Sequence, residues 1–192
     1  MTAAMRCTLP PTGAPAAEAA RIAAALPRLE TARCVLRAPT LADLPLWTAL
    51  HQGPDGAMLG GPLDDEDAYL SFCGYVAGWL LHGHGLWSVE RKGDGARIGF
   101  VLVGLEWGDA EPELGWMVAE DARRRGYGTE AAIAALAHAR SLLPGVVSYV
   151  GPGNIRSARI AERLGARRDP AAEAALGGDS EVWRHTGIGR LA

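Results

Sequence analysis

Two rhythms of apolar and polar positions run along this chain. Short runs rich in branched and aromatic residues predict strands at Cys34–Arg37, Leu86–Arg91, Arg97–Leu105, Glu113–Val118 and Val146–Val150. Two further strands are predicted at Ala166–Arg168 and Ser180–Thr186. Stretches of helical period, or of strong helix formers, predict helices at Ala16–Leu26, Leu41–His51, Leu63–Leu81, Thr129–Ser141 and Asn154–Leu164. The punctuation agrees with this pattern. Thr40 with Asp43 three residues on is an N-cap signal, and Pro45 predicts a short or bent helix start. Pro27 and Gly165 are stops, and Gly93-Asp94-Gly95 carries hairpin chemistry. Residues 1–15, with Pro10, Pro11, Gly13 and Pro15, read as a loose tail, and Asp169–Asp179 as a flexible connection.

The resulting order is strand, two helices, a meander of three strands, helix, strand, helix and a strand pair. It predicts an α+β fold: a mixed, mostly antiparallel central sheet flanked by helices. The spacing is uneven, so no internal repeat is present. A chain of 192 residues suits one domain with a sizeable core. That domain is expected over 29–186, after a partly helical N-terminal arm (1–28) and before a C-terminal tail (187–192).

Composition narrows the function classes. Hydrophobic residues make up 48% of the chain, which fits a globular protein. A net charge of −3 gives no general reason to expect nucleic acid as a partner. Cys7, Cys34 and Cys73 show no paired or metal-ligand spacing, so neither a disulfide framework nor a metal site is expected. No apolar run approaches the ~20 residues that a membrane helix needs, and no apolar stretch of a secretory signal follows Arg6. A reducing cytoplasm fits these features. Asp64–Asp67 reads as an acidic helix start, with a substrate-facing rim as the other option. His82 and His84 lack a third metal ligand and read as loop residues. Trp47, Trp79, Trp87 and Trp116 read mainly as core.

The candidate chemistry lies in Arg123-Arg124-Arg125-Gly126-Tyr127-Gly128-Thr129-Glu130. A strand precedes this segment and an Ala-rich helix follows it. Glycines let the backbone approach an anion closely, and free N–H groups at a helix start point toward it. The Thr129 hydroxyl adds a further donor. The alternative is an ordinary turn with arginines on a solvated face. A Rossmann dinucleotide site fits poorly, because no third glycine stands at the required spacing.

These residues resemble the GNAT superfamily of acyl-CoA-dependent N-acetyltransferases, whose signature is Arg or Gln, two variable residues, Gly, one variable residue, then Gly or Ala. The chain is most similar to the branch of ribosomal-protein N-terminal acetyltransferases. Four other segments carry the resemblance in order: Thr31–Arg37 followed by Asp43; Trp87–Val89 through Ile98-Gly99-Phe100; Glu113–Val118; and Asn154 and Ser157 with Ala161–Ala166. It spans about residues 29–186.

The resemblance implies that Arg123, Arg124, Arg125, Gly126, Tyr127, Gly128 and Thr129 hold the coenzyme A pyrophosphate. It also implies that Met117 and Val118 carry the acyl-pantetheine arm on their backbone, and that the Val118 N–H polarises the thioester carbonyl. Glu113, taken to lie at the splayed centre of the sheet, would be the base that deprotonates an amine. Solvated strand end and substrate-orienting charge are its other readings, with Glu111 and Asp109 as nearby alternatives. Asn154 would bind the pantetheine amides, or simply cap a helix. Ser157 would stand where many members have a tyrosine acid; otherwise the thiol leaves as thiolate. Arg156, Arg159 and Arg163 are further candidates for a phosphate. The implied activity is acetyl transfer from acetyl-CoA to a small-molecule amine or a protein N-terminus, without metal, nucleic acid or membrane partner. An acyl-CoA-binding module without turnover is the alternative, and a homodimer is an open option.

Overall fold

The structure, a computed structural model, describes residues 5–185. Its helices are α1 (Ala14–Ala24), α2 (Leu44–Gln52), α3 (Asp65–Leu81), α4 (Tyr127–Ala139), α5 (Ile155–Arg163) and α6 (Pro170–Leu176). Its strands are β1 (Leu29–Glu30), β2 (Cys34–Arg37), β3 (Leu86–Arg91), β4 (Arg97–Gly104), β5 (Glu113–Val118), β6 (Val147–Val150), β7 (Arg167–Arg168) and β8 (Glu181–Arg184). The strands form one sheet in the order β1-β2-β3-β4-β5-β6-β8-β7. Every pairing is antiparallel except β5 with β6, so the predicted mixed, mostly antiparallel sheet is what forms.

Apolar side chains cover both faces of the sheet. One core gathers Trp87, Val101, Val103 and Leu114 against the small alanines of α4. The other gathers Phe100, Leu102 and Met117 against Leu44 and Trp47 of α2 and Phe72 of α3. Trp79 and Trp87 belong to the first core, ring against ring at 4.5 Å. The entry to α2 is fixed by Asp43, whose side chain is fully buried. Its carboxylate accepts from the Thr40 N–H at 2.7 Å and pairs with Arg37 at 2.8 Å.

Several boundaries differ from the sequence reading, each for a local reason. Leu41–Asp43 is a 3-10 turn, and α2 begins only at Leu44. Pro45 then sits in the first helical turn, where its missing N–H costs nothing. Pro15 does the same in α1 and is not part of a loose tail. The expected flexible connection at 169–179 contains a helix instead. Asp169 caps α6 by accepting from the Ala172 N–H at 3.1 Å, and Glu173 pairs with Arg168 at 2.8 Å. The two-residue β1 was not anticipated. Thr186 and the predicted tail 187–192 lie outside the described residues.

The sheet opens at one seam. The parallel strands β5 and β6 are paired only at Glu113 with Val147. Beyond that pair the strands part. The Ser148 hydroxyl donates to the Leu114 carbonyl at 2.6 Å, filling the last position before the gap. The Ala119 N–H donates to Ile98 of β4 at 2.9 Å. By strand alternation the backbone polar groups of Trp116 and Val118 therefore face away from β4, into the opening.

Candidate active site

The opening leads into a cavity of ≈ 600 Å³ lined by the end of β5, the turn after it and the first turns of α4 and α5. The wall contains Met117, Val118, Arg123, Arg124, Gly126, Tyr127, Gly128, Thr129, Asn154 and Ser157. Ten of the candidate residues, more than thirty positions apart in sequence at the extremes, thus meet at one surface. Arg156, Arg159 and Arg163 line it as well, whereas Glu113, its alternatives Glu111 and Asp109, and Arg125 do not.

The turn between β5 and α4 has the backbone of an anion cradle. Arg124 takes φ 58° and Gly126 φ 82°. Left-handed residues inside a turn swing successive N–H groups to one side. Among the described residues, the N–H groups of Arg124, Arg125 and Gly126 have no protein acceptor. The first intrahelical bond at this end is Glu130 N–H to Gly126 carbonyl at 3.0 Å. The donors of Tyr127, Gly128 and Thr129 therefore also end in the turn, at the positive end of α4. Gly128 answers a second demand: a Cβ there would lie 2.9 Å from Val118 Cγ2. Only glycine lets the helix start come this close to β5.

The arginines divide their duties in a way the sequence reading did not anticipate. Arg123 does not extend freely into the cavity. Its Nε donates to the Val118 carbonyl at 2.9 Å, and its guanidinium pairs with Asp55. Asp55 also accepts from Arg156 of α5 at 2.6 Å. Partial burial acts to raise the Asp55 pKa, but the two guanidinium partners outweigh it and hold the carboxyl below its ordinary value. Arg125 is exposed and does not line the cavity, so its place in the cofactor assignment rests on its backbone N–H and not on its guanidinium. Its carbonyl accepts from Arg33 at 2.9 Å.

On α5, Asn154 is the N-cap, with Oδ1 accepting from the Ser157 N–H at 3.1 Å. The capping and ligand-facing readings therefore hold together: the cap occupies Oδ1, and the residue still lines the cavity. Ser157 lines the same wall. Met117 requires a correction: its backbone turns toward Phe100 of β4 and offers the arm nothing, so its share in the site is its side chain, which packs into the α2–α3 core and lines the cavity.

Glu113 requires a correction. It sits at the joined end of the seam, opposite Val147, and not at the splayed centre. It still differs sharply from a solvated strand end. Withdrawal of its carboxyl from water, with Glu106 and Asp109 close by, pushes its pKa up to about 8, against a smaller lowering by the Tyr149 N–H. Burial and the Glu106 charge also raise the pKa of the Tyr75 phenol, whose hydroxyl donates to Glu106. A carboxyl with such a pKa is mostly protonated at pH 7 and half ionised only at about pH 8, so its use as a proton acceptor grows on the alkaline side of neutrality. Glu111 is a weaker candidate, since both its oxygens are engaged by Arg184 at 2.6 and 2.7 Å.

Asp55 carried no signal in the sequence. It lies in a loop without periodicity, and its partners are 68 and 101 residues away. The remaining side candidates are structural. His84 is buried with Nδ1 bonded to the Val103 carbonyl at 2.8 Å. Asp64 caps α3 by accepting from the Asp67 N–H at 2.8 Å. Among the described residues no group of three metal-ligating side chains occurs, and no helix is long and apolar enough to cross a membrane.

A sheet parted between two parallel strands, with a glycine turn and a helix start at the mouth of the gap, defines an acyltransferase-type architecture. The family model described as an acetyltransferase (GNAT) domain matches residues 33–167, and the chain belongs to this family. An acetyltransferase from Agrobacterium tumefaciens is 34% identical, with a TM-score of 0.78 over 85% of this chain and 96% of its own. Two more distant structures share the fold. A spermidine N-acetyltransferase from Vibrio cholerae, in complex with CoA and spermine, is 15% identical, with a TM-score of 0.61 over 80% of this chain and 94% of its own. RimL, a ribosomal L7/L12 alpha-N-protein acetyltransferase in complex with coenzyme A, is 14% identical, with a TM-score of 0.61 over 82% and 95%.

Proposed function

We propose that this protein transfers an acetyl group from acetyl-CoA to a primary amine, either a small molecule or a protein N-terminus, by direct attack. The observation that carries this reading is the single cavity at the β5–β6 opening. It offers backbone donors for a pyrophosphate at one end and unpaired strand edge for an extended amide chain along its floor.

In this reading the N–H groups of residues 124–129 receive the pyrophosphate, with Thr129 adding its hydroxyl. The pantetheine amides pair with the free edge of β5 at Trp116 and with Asn154, since the Val118 carbonyl is held by Arg123. The amine nitrogen attacks the thioester carbon while both substrates are bound, so proximity supplies much of the acceleration. The Val118 N–H, facing the opening, stabilises the carbonyl oxygen as it gains charge. The nitrogen loses its proton to Glu113, directly or through water. The carbon–sulfur bond then breaks, and the thiol leaves as thiolate or takes a proton from Ser157.

The test is release of free thiol from acetyl-CoA, measured against a panel of polyamines, amino acids and peptides. Release with at least one amine, and an N-acetylated product by mass, is the expected result. Coenzyme A binding without thiol release from any amine or peptide would replace this reading with an acyl-CoA-binding module.

A further inference from the structure

Arg33 precedes β2, far in sequence from the cavity and outside the Arg123–Gly128 signature. Its side chain is half exposed, yet it is tied at every polar atom. The backbone N–H donates to Glu130 Oε1 at 2.8 Å, and Nε donates to Oε2 at 2.7 Å. Nη2 pairs with the same carboxylate at 2.6 Å. Nη1 donates to the Arg125 carbonyl at 2.9 Å. The guanidinium carbon lies 4.6 Å from the centre of the Tyr127 ring. Glu130 is held in turn by the Thr31 hydroxyl at 2.6 Å. The Lys92 N–H donates to the Arg33 carbonyl at 2.8 Å. One guanidinium therefore grips the outside of the turn at three successive points: the carbonyl of 125, the ring of 127 and the carboxylate of 130.

The consequence for the cavity follows from the peptide plane. In a trans peptide the carbonyl and the following N–H point in opposite directions. The cis peptide among the described residues is Gly61–Pro62, so the 125–126 link is trans. Arg33 holds the Arg125 carbonyl outward, and the Gly126 N–H must then point inward, to the cavity that Gly126 lines. A left-handed residue other than glycine, Arg124, stands just before this peptide, and such a conformation persists only where its surroundings fix it.

We propose that Arg33, locked by Glu130, is a positioning residue for the phosphate cradle: it sets the orientation of the 125–126 peptide and with it the donors offered to a pyrophosphate. This rests on the coenzyme A reading above. It does not require Arg33 to touch the ligand.

The test compares wild type with Arg33→Ala and Arg33→Lys in titrations with coenzyme A and in kinetics with two donors, acetyl-CoA and S-acetylpantetheine, which lacks the phosphates. Loss of a charged hydrogen bond that orients the cradle should raise the coenzyme A Kd roughly 10–100-fold. KM for acetyl-CoA should rise in parallel, with kcat and the KM of the amine unchanged. Turnover of S-acetylpantetheine should be unaffected. Lysine keeps the charge but not the planar fork, so it should recover little. Glu130→Gln, which frees the fork, should give a smaller loss of the same phosphate-dependent kind if Arg33→Ala proves poorly folded. Unchanged coenzyme A affinity, equal loss with both donors, or full rescue by lysine would each overturn the proposal. Absence of coenzyme A binding by wild type is a separate result, and it would remove the underlying reading as well.

Discussion

The raised pKa of Glu113 sets how the protein should respond to pH. If Glu113 takes the amine proton, kcat/KM for the amine should climb with pH through an apparent pKa of about 8. In Glu113→Gln that limb should vanish, leaving only the ionisation of the amine itself, and kcat should fall about 10²–10⁴-fold. An unchanged rate and profile would move the base elsewhere. The stability consequence has the opposite sign to that of a salt-bridged acid. The folded protein holds this proton to higher pH than the unfolded chain does. Glu113 therefore costs stability increasingly as pH rises from its unfolded value of 4.5 through about 8. Glu113→Gln should gain on wild type over that window in thermal melts. At this scale, what the sequence disclosed was local. Gly126, Gly128 and Asn154 announce a turn and a cap through their nearest neighbours. Asp55 and Arg33 do not, since their contacts span 68 to 101 residues and are set by how elements pack.

Among the elements, the β5–α4 turn and the α2–α3 loop meet across the cavity. Asp55 brings a carboxylate among the arginines of the cavity, pairing with Arg123 and Arg156. A polyanion entering there competes with Asp55 for both arginines. Asp55→Asn should therefore tighten coenzyme A binding by about two- to fivefold, within the range of a partly exposed ion pair, and reduce its dependence on salt. Weaker binding in the variant would mean that Asp55 preorganises the arginines instead. Most elements were legible because their apolar period is strong: β3 and β5 begin and end where the pattern does. The opening between β5 and β6 was not legible in that pattern and was expected only through the family resemblance. Side-chain rhythm states which residues are strand, but a parting of strands is decided by hydrogen-bond partners such as Ser148 and Leu114. α6 was hidden for another reason. Its seven residues, from Pro170 to Leu176, are too short for a periodic signal, and its stability comes from the Asp169 cap and the Glu173 pair.

For the whole molecule, the division of the sheet into a closed antiparallel half and a parted parallel seam is what gives the GNAT fold a reaction site. The two apolar cores on opposite faces hold β4 and β5 rigid, and the glycine turn and the start of α5 converge at the end of β5. The central claim is that this convergence binds coenzyme A through backbone donors. Calorimetric titration of coenzyme A into wild type and Gly126→Asp tests it most directly. Gly126 has φ 82°, a conformation aspartate tolerates better than most residues, so the variant can fold. The account predicts saturable binding at one site per chain in wild type, and binding weaker by roughly tenfold or more in a folded Gly126→Asp protein, because a Cβ there lies 3.3 Å from Arg33 Nη2 and a carboxylate would pull that guanidinium off the turn it orients. No heat and no thermal shift with wild type, or equal affinity in the variant, would contradict it.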